Sequence, residues 1–277
     1  MKRKIILSLL LVMFVVSSIS FVGCGETNFI NECSKNVNEY TMTVSVDEIN
    51  HTASVSQVTN YINKTDNALD NICFHLYANS FDKGVVNKPV SALYESKAYP
   101  HGESFGNIKI SSVKINGEET TTTLEGDDKT ILSVTLFSSL YPNDRVSIEF
   151  EYTVTLPNIN HRFGYGDNAI NLCNFYPIAC VFENGNFSKQ EYHYNGDPFY
   201  SDMANYDVTI KNFENYTVAT SGNQVSQEVV DHQKITKVQA KAVRDFAIVL
   251  SNKFKTASQK VGNTTINYYY YNDKNPE

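Results

Sequence analysis

The chain has 277 residues, 42% of them hydrophobic, enough apolar material for a sizeable core, which excludes a disordered tail or a small disulfide knot. Net charge is 23 − 30 = −7, and removal of residues 1–23, which hold Lys2, Arg3, Lys4 and no acid, makes it 20 − 30 = −10. An acidic chain without a basic run is a poor nucleic-acid binder, and beyond residue 23 no apolar stretch reaches the roughly 20 residues of a membrane span.

Lys2-Arg3-Lys4 is a positive n-region, followed by an apolar run from Ile5 to Val16 broken only by Ser8. That length suits a signal h-region better than a span. Ser20-Phe21-Val22-Gly23-Cys24 resembles a bacterial lipobox, with Phe21 where Leu is more usual. The expectation is a lipoprotein signal peptide over 1–23 and a lipidated Cys24. The alternative is an ordinary secretory signal. Residues 24–38 are polar and read as a tether, leaving 39–277 as one domain. Such a chain would sit on the extracellular face of a bacterial cell membrane. Cys33, Cys73, Cys173 and Cys180 remain, with their pairing open.

From residue 40 the pattern is that of strands. Tyr40 to Val46 alternates apolar and polar, and Thr52 to Ile62 continues after a polar turn, predicting a hairpin. Ile72 to Ala78 is a third strand, and residues 79–106, without a period, read as a long surface loop. Ile108 to Ile115 ends at Asn116-Gly117, a strong hairpin signal. Thr130 to Leu136 and Arg145 to Thr155 flank Tyr141-Pro142-Asn143-Asp144. In the latter, Val146, Ile148, Phe150, Tyr152 and Val154 share one face. Asn205 to Lys211, Tyr216 to Thr220, Lys234 to Ala242, Asp245 to Ser251 and Thr264 to Tyr271 complete the set. The predicted class is all-β, an antiparallel sandwich or saddle of sheets.

No catalytic motif is present: no Gly-x-Ser-x-Gly elbow, no phosphate loop, no dinucleotide fingerprint and no pair of His four apart. The polar run Glu191 to Pro198 with Asp202 and Asp207 reads either as a hard-cation site or as a solvated loop. Tyr268-Tyr269-Tyr270-Tyr271 reads as a stacking platform or, preferably, as core packing split between two faces.

Three stretches together resemble the N-terminal domain of the aminopeptidase N family, the M1 zinc metallopeptidases. Leu136 to Ile148 is similar to that family's strand, Leu-x-Pro-Gly turn and strand, with Asn143 in place of Gly. Asp197 to Ile210, running on to Val218-Ala219-Thr220-Ser221-Gly222, resembles its Tyr-Asp-Val strand and the Ala-x-Gly that follows. Val243 to Ser251 resembles its Arg-Asp-Phe-Ala strand. The resemblance implies a β-saddle that lines the cleft of a peptidase removing N-terminal residues from peptides. It also implies a separate zinc domain with Gly-x-Met-Glu-Asn and His-Glu-x-x-His, neither of which occurs in this sequence. No zinc ligand or cofactor is therefore expected from this chain. The expectation is a truncated chain, inactive alone, whose peptide substrate and zinc belong to the missing domain; a regulatory or decoy remnant of such a peptidase is a further reading, and a large exposed apolar patch next to residue 271 would mark a missing neighbour domain. A gapless match of the family's Gln-x-Glu-Ala stretch, anchored on Pro177, falls on Gly166, Asn168 and Ala169. Asn168 could accept a hydrogen bond from an amine but lacks the carboxylate's charge. The same segment, Gly164 to Pro177, reads equally as a turn-rich connection. The rival class is a free-standing β-sandwich surface lipoprotein that binds a glycan, a peptide or a partner protein.

Overall fold

The computed structural model describes residues 26–271; the signal segment 1–23 and Cys24 lie outside the described residues. A first unit ends at Lys35 and holds the two-turn helix α1 (Glu26–Cys33), inside the segment read as a tether. Among the described residues no helix is long and apolar enough to cross a membrane.

The second unit begins at Asn36 and is built of strands. In chain order these are β1 (Asn38–Asp47), β2 (Thr52–Ile62), β3 (Leu69–His75), β4 (Asn107–Ile115), β5 (Glu118–Glu119), β6 (Thr122–Glu125), β7 (Ile131–Leu140) and β8 (Arg145–Thr155). Then come β9 (Phe163–Tyr165), β10 (Ile170–Cys173), β11 (Ile178–Ala179), β12 (Phe182–Glu183), β13 (Asn186–Phe187) and β14 (Ala204–Phe213). The series ends with β15 (Thr217–Thr220), β16 (Asn223–Val230), β17 (Gln233–Val243), β18 (Ala247–Ser251), β19 (Lys255–Val261) and β20 (Thr264–Tyr270).

One large sheet has the order β16-β17-β14-β1-β2-β8-β4-β5. Its inner face is read directly from period-2 alternation. Tyr40, Met42 and Val44 of β1 are buried, and the register Met42↔Gln57↔Phe150 carries the same face into β2 and β8. The opposite face is polar, with Thr41, Thr43 and Ser45 in β1 and Glu149, Glu151 and Thr153 in β8. Two four-stranded sheets, β15-β18-β10-β9 and β11-β3-β7-β6, contribute to the same hydrophobic core. Phe74 of β3 meets Phe150 edge-on at 5.0 Å, an arrangement aromatic quadrupoles favour. Gln57 is buried in this core, yet its carboxamide is satisfied: Nε2 donates to Thr59 Oγ1 (2.9 Å) and Pro177 O (3.0 Å), and Oε1 accepts from Tyr152 OH (2.8 Å). The architecture is thus an all-β sandwich.

Several expectations are corrected. The sheet is not wholly antiparallel: β1 and β14 pair in parallel, Asn38↔Ala204 to Ser45↔Lys211. Alternation fixes faces and is blind to strand direction. The third strand starts earlier and stops at His75, and the chain then turns through a 3₁₀ segment, Tyr77–Phe81, buried throughout. Residues 79–106 are therefore not simply a surface loop. Asn79 ties them down, donating to Lys129 O (2.7 Å) and accepting from Ile108 N (3.0 Å), and a single helical turn, α2 (Glu95–Ala98), buries Ala98. One helical turn is too short for a period to show. Other expectations hold. The hairpin β1–β2 forms, with Asp47 Oδ1 accepting from Ile49 N and Asn50 N in its turn. Asn116 and Gly117 take φ of 51° and 88°, as a primed hairpin turn requires.

Candidate functional site

Gly166, Asn168 and Ala169 lie in the four-residue turn between β9 and β10, closed by the bond from Gly166 N to Ala169 O (3.0 Å) beyond the pair Tyr165↔Ile170. The turn is anchored on the end of β18, where Ser251 Oγ donates to Asn168 O (2.5 Å). Just past β18, the Lys253 ammonium donates to Asn168 Oδ1 (3.0 Å) and Asp167 O (2.5 Å). On the other side His101 Nε2 lies 3.1 Å from Asp167 Oδ1, an exposed pair. The turn therefore already presents two oxygens to an ammonium, and the chain's own Lys253 fills that position. Lys253 and His101 had no signal in the sequence, because they are remote from residue 168 in the chain. The segment 164–177 is more than a connection: Ile170 and Leu172 are buried, and Phe175 and Tyr176 are wholly inside.

Tyr176 leads to the structural centre of the family-like stretches. Its hydroxyl donates to Tyr206 OH (2.9 Å) and accepts from Phe246 N (3.2 Å). Tyr206 stacks on Tyr40 (5.0 Å) and Phe246 (5.5 Å). Ser201 and Arg244 clasp the same spot from outside, Ser201 Oγ donating to Arg244 O (2.8 Å) and Arg244 Nη1 to Ser201 O (3.2 Å). Burial pushes the phenol ionisations of Tyr176 and Tyr206 far above the ordinary range, so both remain neutral donors. This is a structural cluster without a reacting group. The turn at Asn143 has φ of 69°, a left-handed position that Gly or Asn tolerates. Gly222 fits its place for a different reason: a Cβ there would lie 2.7 Å from Gln239 O and from Val238 Cγ1.

The Glu191 run does not build a cation site. Glu191 Oε2 accepts from Asn87 Nδ2 (3.3 Å), Asp197 pairs with Arg162 (3.6 Å), and Tyr192 is buried with its hydroxyl on Pro89 O (3.2 Å). It is a loop pinned by one aromatic anchor. Among the described residues no three His, Cys, Asp or Glu side chains gather as a metal site. The four described cysteines are free, Cys180 lying beyond β11 with its N–H on Cys73 O (2.8 Å).

The Tyr268–Tyr271 reading as core is overturned. β19 and β20 pair only with each other, and all their residues but Tyr269 are exposed. Tyr268 stacks on Tyr270 at 5.5 Å on the outer face, alongside exposed Ile266. Tyr269 and Tyr271 instead meet Phe254, at 5.7 Å and 5.0 Å.

No protein-family model and no curated protein matches the chain. Solved structures similar in chain path include the M1 zinc metallopeptidase of Deinococcus radiodurans, 12% identical, covering 84% of this chain and 47% of that one, with a TM-score of 0.48. The form of that enzyme bound to a Tyr-Ser-Ala substrate gives 11%, 84%, 47% and 0.49. A two-domain M1 zinc metallopeptidase bound to L-arginine gives 13%, 83%, 46% and 0.47. The chain spans about half the length of these structures.

Proposed function

We propose that residues 39–277 form the N-terminal, cleft-lining β-domain of an M1-like zinc aminopeptidase, anchored at the extracellular face of the membrane through a lipid on Cys24. The zinc, its ligands and the base that activates water belong to a catalytic half outside these 277 residues, so this chain is a scaffold that is inactive alone. The observation that carries the reading is the meeting of the family-like stretches in one place. Tyr176 of the Pro177 stretch, Tyr206 of the Tyr-Asp-Val strand and Phe246 of the Arg-Asp-Phe-Ala strand share one hydrogen-bonded, buried cluster. Motif residues far apart in sequence that converge in space are what a shared fold needs. The exposed stripe Ile266, Tyr268 and Tyr270, close to residue 271, supports a neighbour domain there.

Within this reading Gly166, Asn168 and Ala169 face the substrate's free amine, and Lys253 holds the acceptor until an amine displaces it. A neutral carboxamide gives a weaker amine contact than a carboxylate. Two measurements test the proposal. The reading frame beyond codon 277 is expected to encode Gly-x-Met-Glu-Asn and His-Glu-x-x-His. Its absence in every phase overturns the proposal in favour of a free-standing binding module. Full chain assayed on aminoacyl chromogenic substrates with added zinc is expected to show no turnover, and zinc-dependent release of the chromophore contradicts the scaffold role.

A further inference from the structure

The inner face of the large sheet changes chemistry along its width. At β14 it is apolar, with Val208 and Ile210 buried. Toward the edge the same face, followed through the register Ile210↔Thr236↔Gln227 and Val208↔Val238↔Gln224, turns into hydroxyls and carboxamides. There the hairpin β19–β20 faces it with its own polar side, Thr256 opposite Tyr269 and Ser258 opposite Asn267. Between them lies a slot of about 670 Å³, with Thr217 and Thr220 of β15 along its side.

Three properties define what fits. No carboxylate lines the slot, and its one cation, Lys234, has its ammonium on Tyr216 O (2.6 Å). A cationic ligand would leave its charge uncompensated, and an anion would meet only the Lys234 ammonium, which already spends one of its three N–H donors on Tyr216 O. The polar groups are largely unspent: among the described residues the carboxamides of Gln224 and Gln227 and the hydroxyls of Thr256 and Thr265 have no hydrogen-bond partner. Thr236 is 2% exposed, and its Oγ1 is also without a partner. A buried polar atom left unpaired costs free energy that a ligand or water must return. Finally, the slot has one ring, Tyr269, whose amphipathic face suits a sugar ring's C–H surface.

We infer that this slot binds a neutral oligosaccharide, with the carboxamides of Gln224 and Gln227 bridging vicinal hydroxyls, Asn267 Nδ2 donating to a further one while its Oδ1 accepts from Ser258 Oγ (2.7 Å), and Tyr269 under a pyranose face. A peptide is the poorer fit, since an extended chain asks for alternating side-chain pockets and its charged amine for a carboxylate, and no carboxylate lines the slot. Every residue lining the slot belongs to this chain.

The test is calorimetric titration of the full chain with maltohexaose, cellohexaose and chitohexaose, with hexaalanine as the peptide probe. At least one hexasaccharide is expected to bind with a dissociation constant below ~1 mM. Gln224→Ala and Gln227→Ala, both at exposed positions, should each weaken it several-fold and together by ~10-fold or more. Thr41→Ala, on the outer face of the same sheet, should leave it unchanged. The inference is overturned if none of the three sugars binds at ~10 mM, an order of magnitude above that limit. It is equally overturned if hexaalanine alone binds, or if sugar binding survives the double substitution.

Discussion

In β8, Ile148, Phe150, Tyr152 and Val154 are buried at alternate positions, whereas in β16, two strands beyond β1 and β14 in the same sheet, every residue is exposed. Both strands are paired by backbone bonds along their length. The difference is in what covers them. β8 lies between β2 and β4 and under the Phe74 sheet, while β16 is an edge with one partner. Backbone pairing alone fixes a strand's path, but only burial of one face imprints an alternating pattern on its residues. The hairpin β19–β20 follows the same logic: it has a ladder and no cover, and its sequence is polar with aromatic residues on both sides.

The comparison is sharpest where a side chain is removed from each region. Phe150→Ala leaves a void against Phe74 and should cost about 3–5 kcal/mol in chemical denaturation, the usual range for emptying a core aromatic site. A cost below about 1 kcal/mol would mean that the centre of the sheet is no better packed than its edge.

A second comparison uses pH. His75 is buried at 1% exposure and stacks on Tyr77 at 4.5 Å. The Ser188 backbone slightly favours the protonated ring, but neither nitrogen has a partner in hydrogen-bond geometry, and burial, the dominant cause, lowers its pKa to about 4. The unfolded chain, titrating near 6.5, therefore takes up this proton first as pH falls. Stability from this group is complete above about pH 6.5 and is lost progressively toward pH 4, at up to about 1.4 kcal/mol per pH unit. His75→Phe keeps the ring stack and should reduce the slope of that part of the stability–pH curve, leaving the share of His161, which burial also lowers to about 4. An unchanged slope would show that the imidazole is not the group responsible.

The smallest effect belongs to the uncovered region. Tyr268→Ser on the outer face of the hairpin should change the stability of this chain by less than about 0.5 kcal/mol. A large loss would show that the hairpin is held by more than its own ladder.

The central strands were legible because each buries one face. Arg145 to Thr155 was placed to the residue, and the Asn116-Gly117 turn was marked by residues that accept a positive φ. Among the strands that escape, β16 and β19 have no apolar period because nothing presses on them, whereas β9, β10 and β11 are buried but too short for a period to show. The 3₁₀ turn at Tyr77–Phe81 was hidden by its brevity, and the parallel pairing of β1 with β14 by the symmetry of alternation. Of the candidate site, the turn 166–169 was visible as residues but not as geometry. Its defining contact comes from Lys253, and the slot lined by Gln224 and Thr236 arises only when three separate strands and a hairpin are brought together.

The parallel ladder between β1 and β14 sets a timetable. Asn38 must wait for Ala204, 204 − 38 = 166 residues later, before that side of β1 is closed. At roughly 5–20 residues per second of synthesis this is an interval of about 8–33 s. During it the first hairpin offers an unpaired edge, the kind of surface that recruits other chains. The outer side of the earliest strand thus stays open until residue 204 has been made.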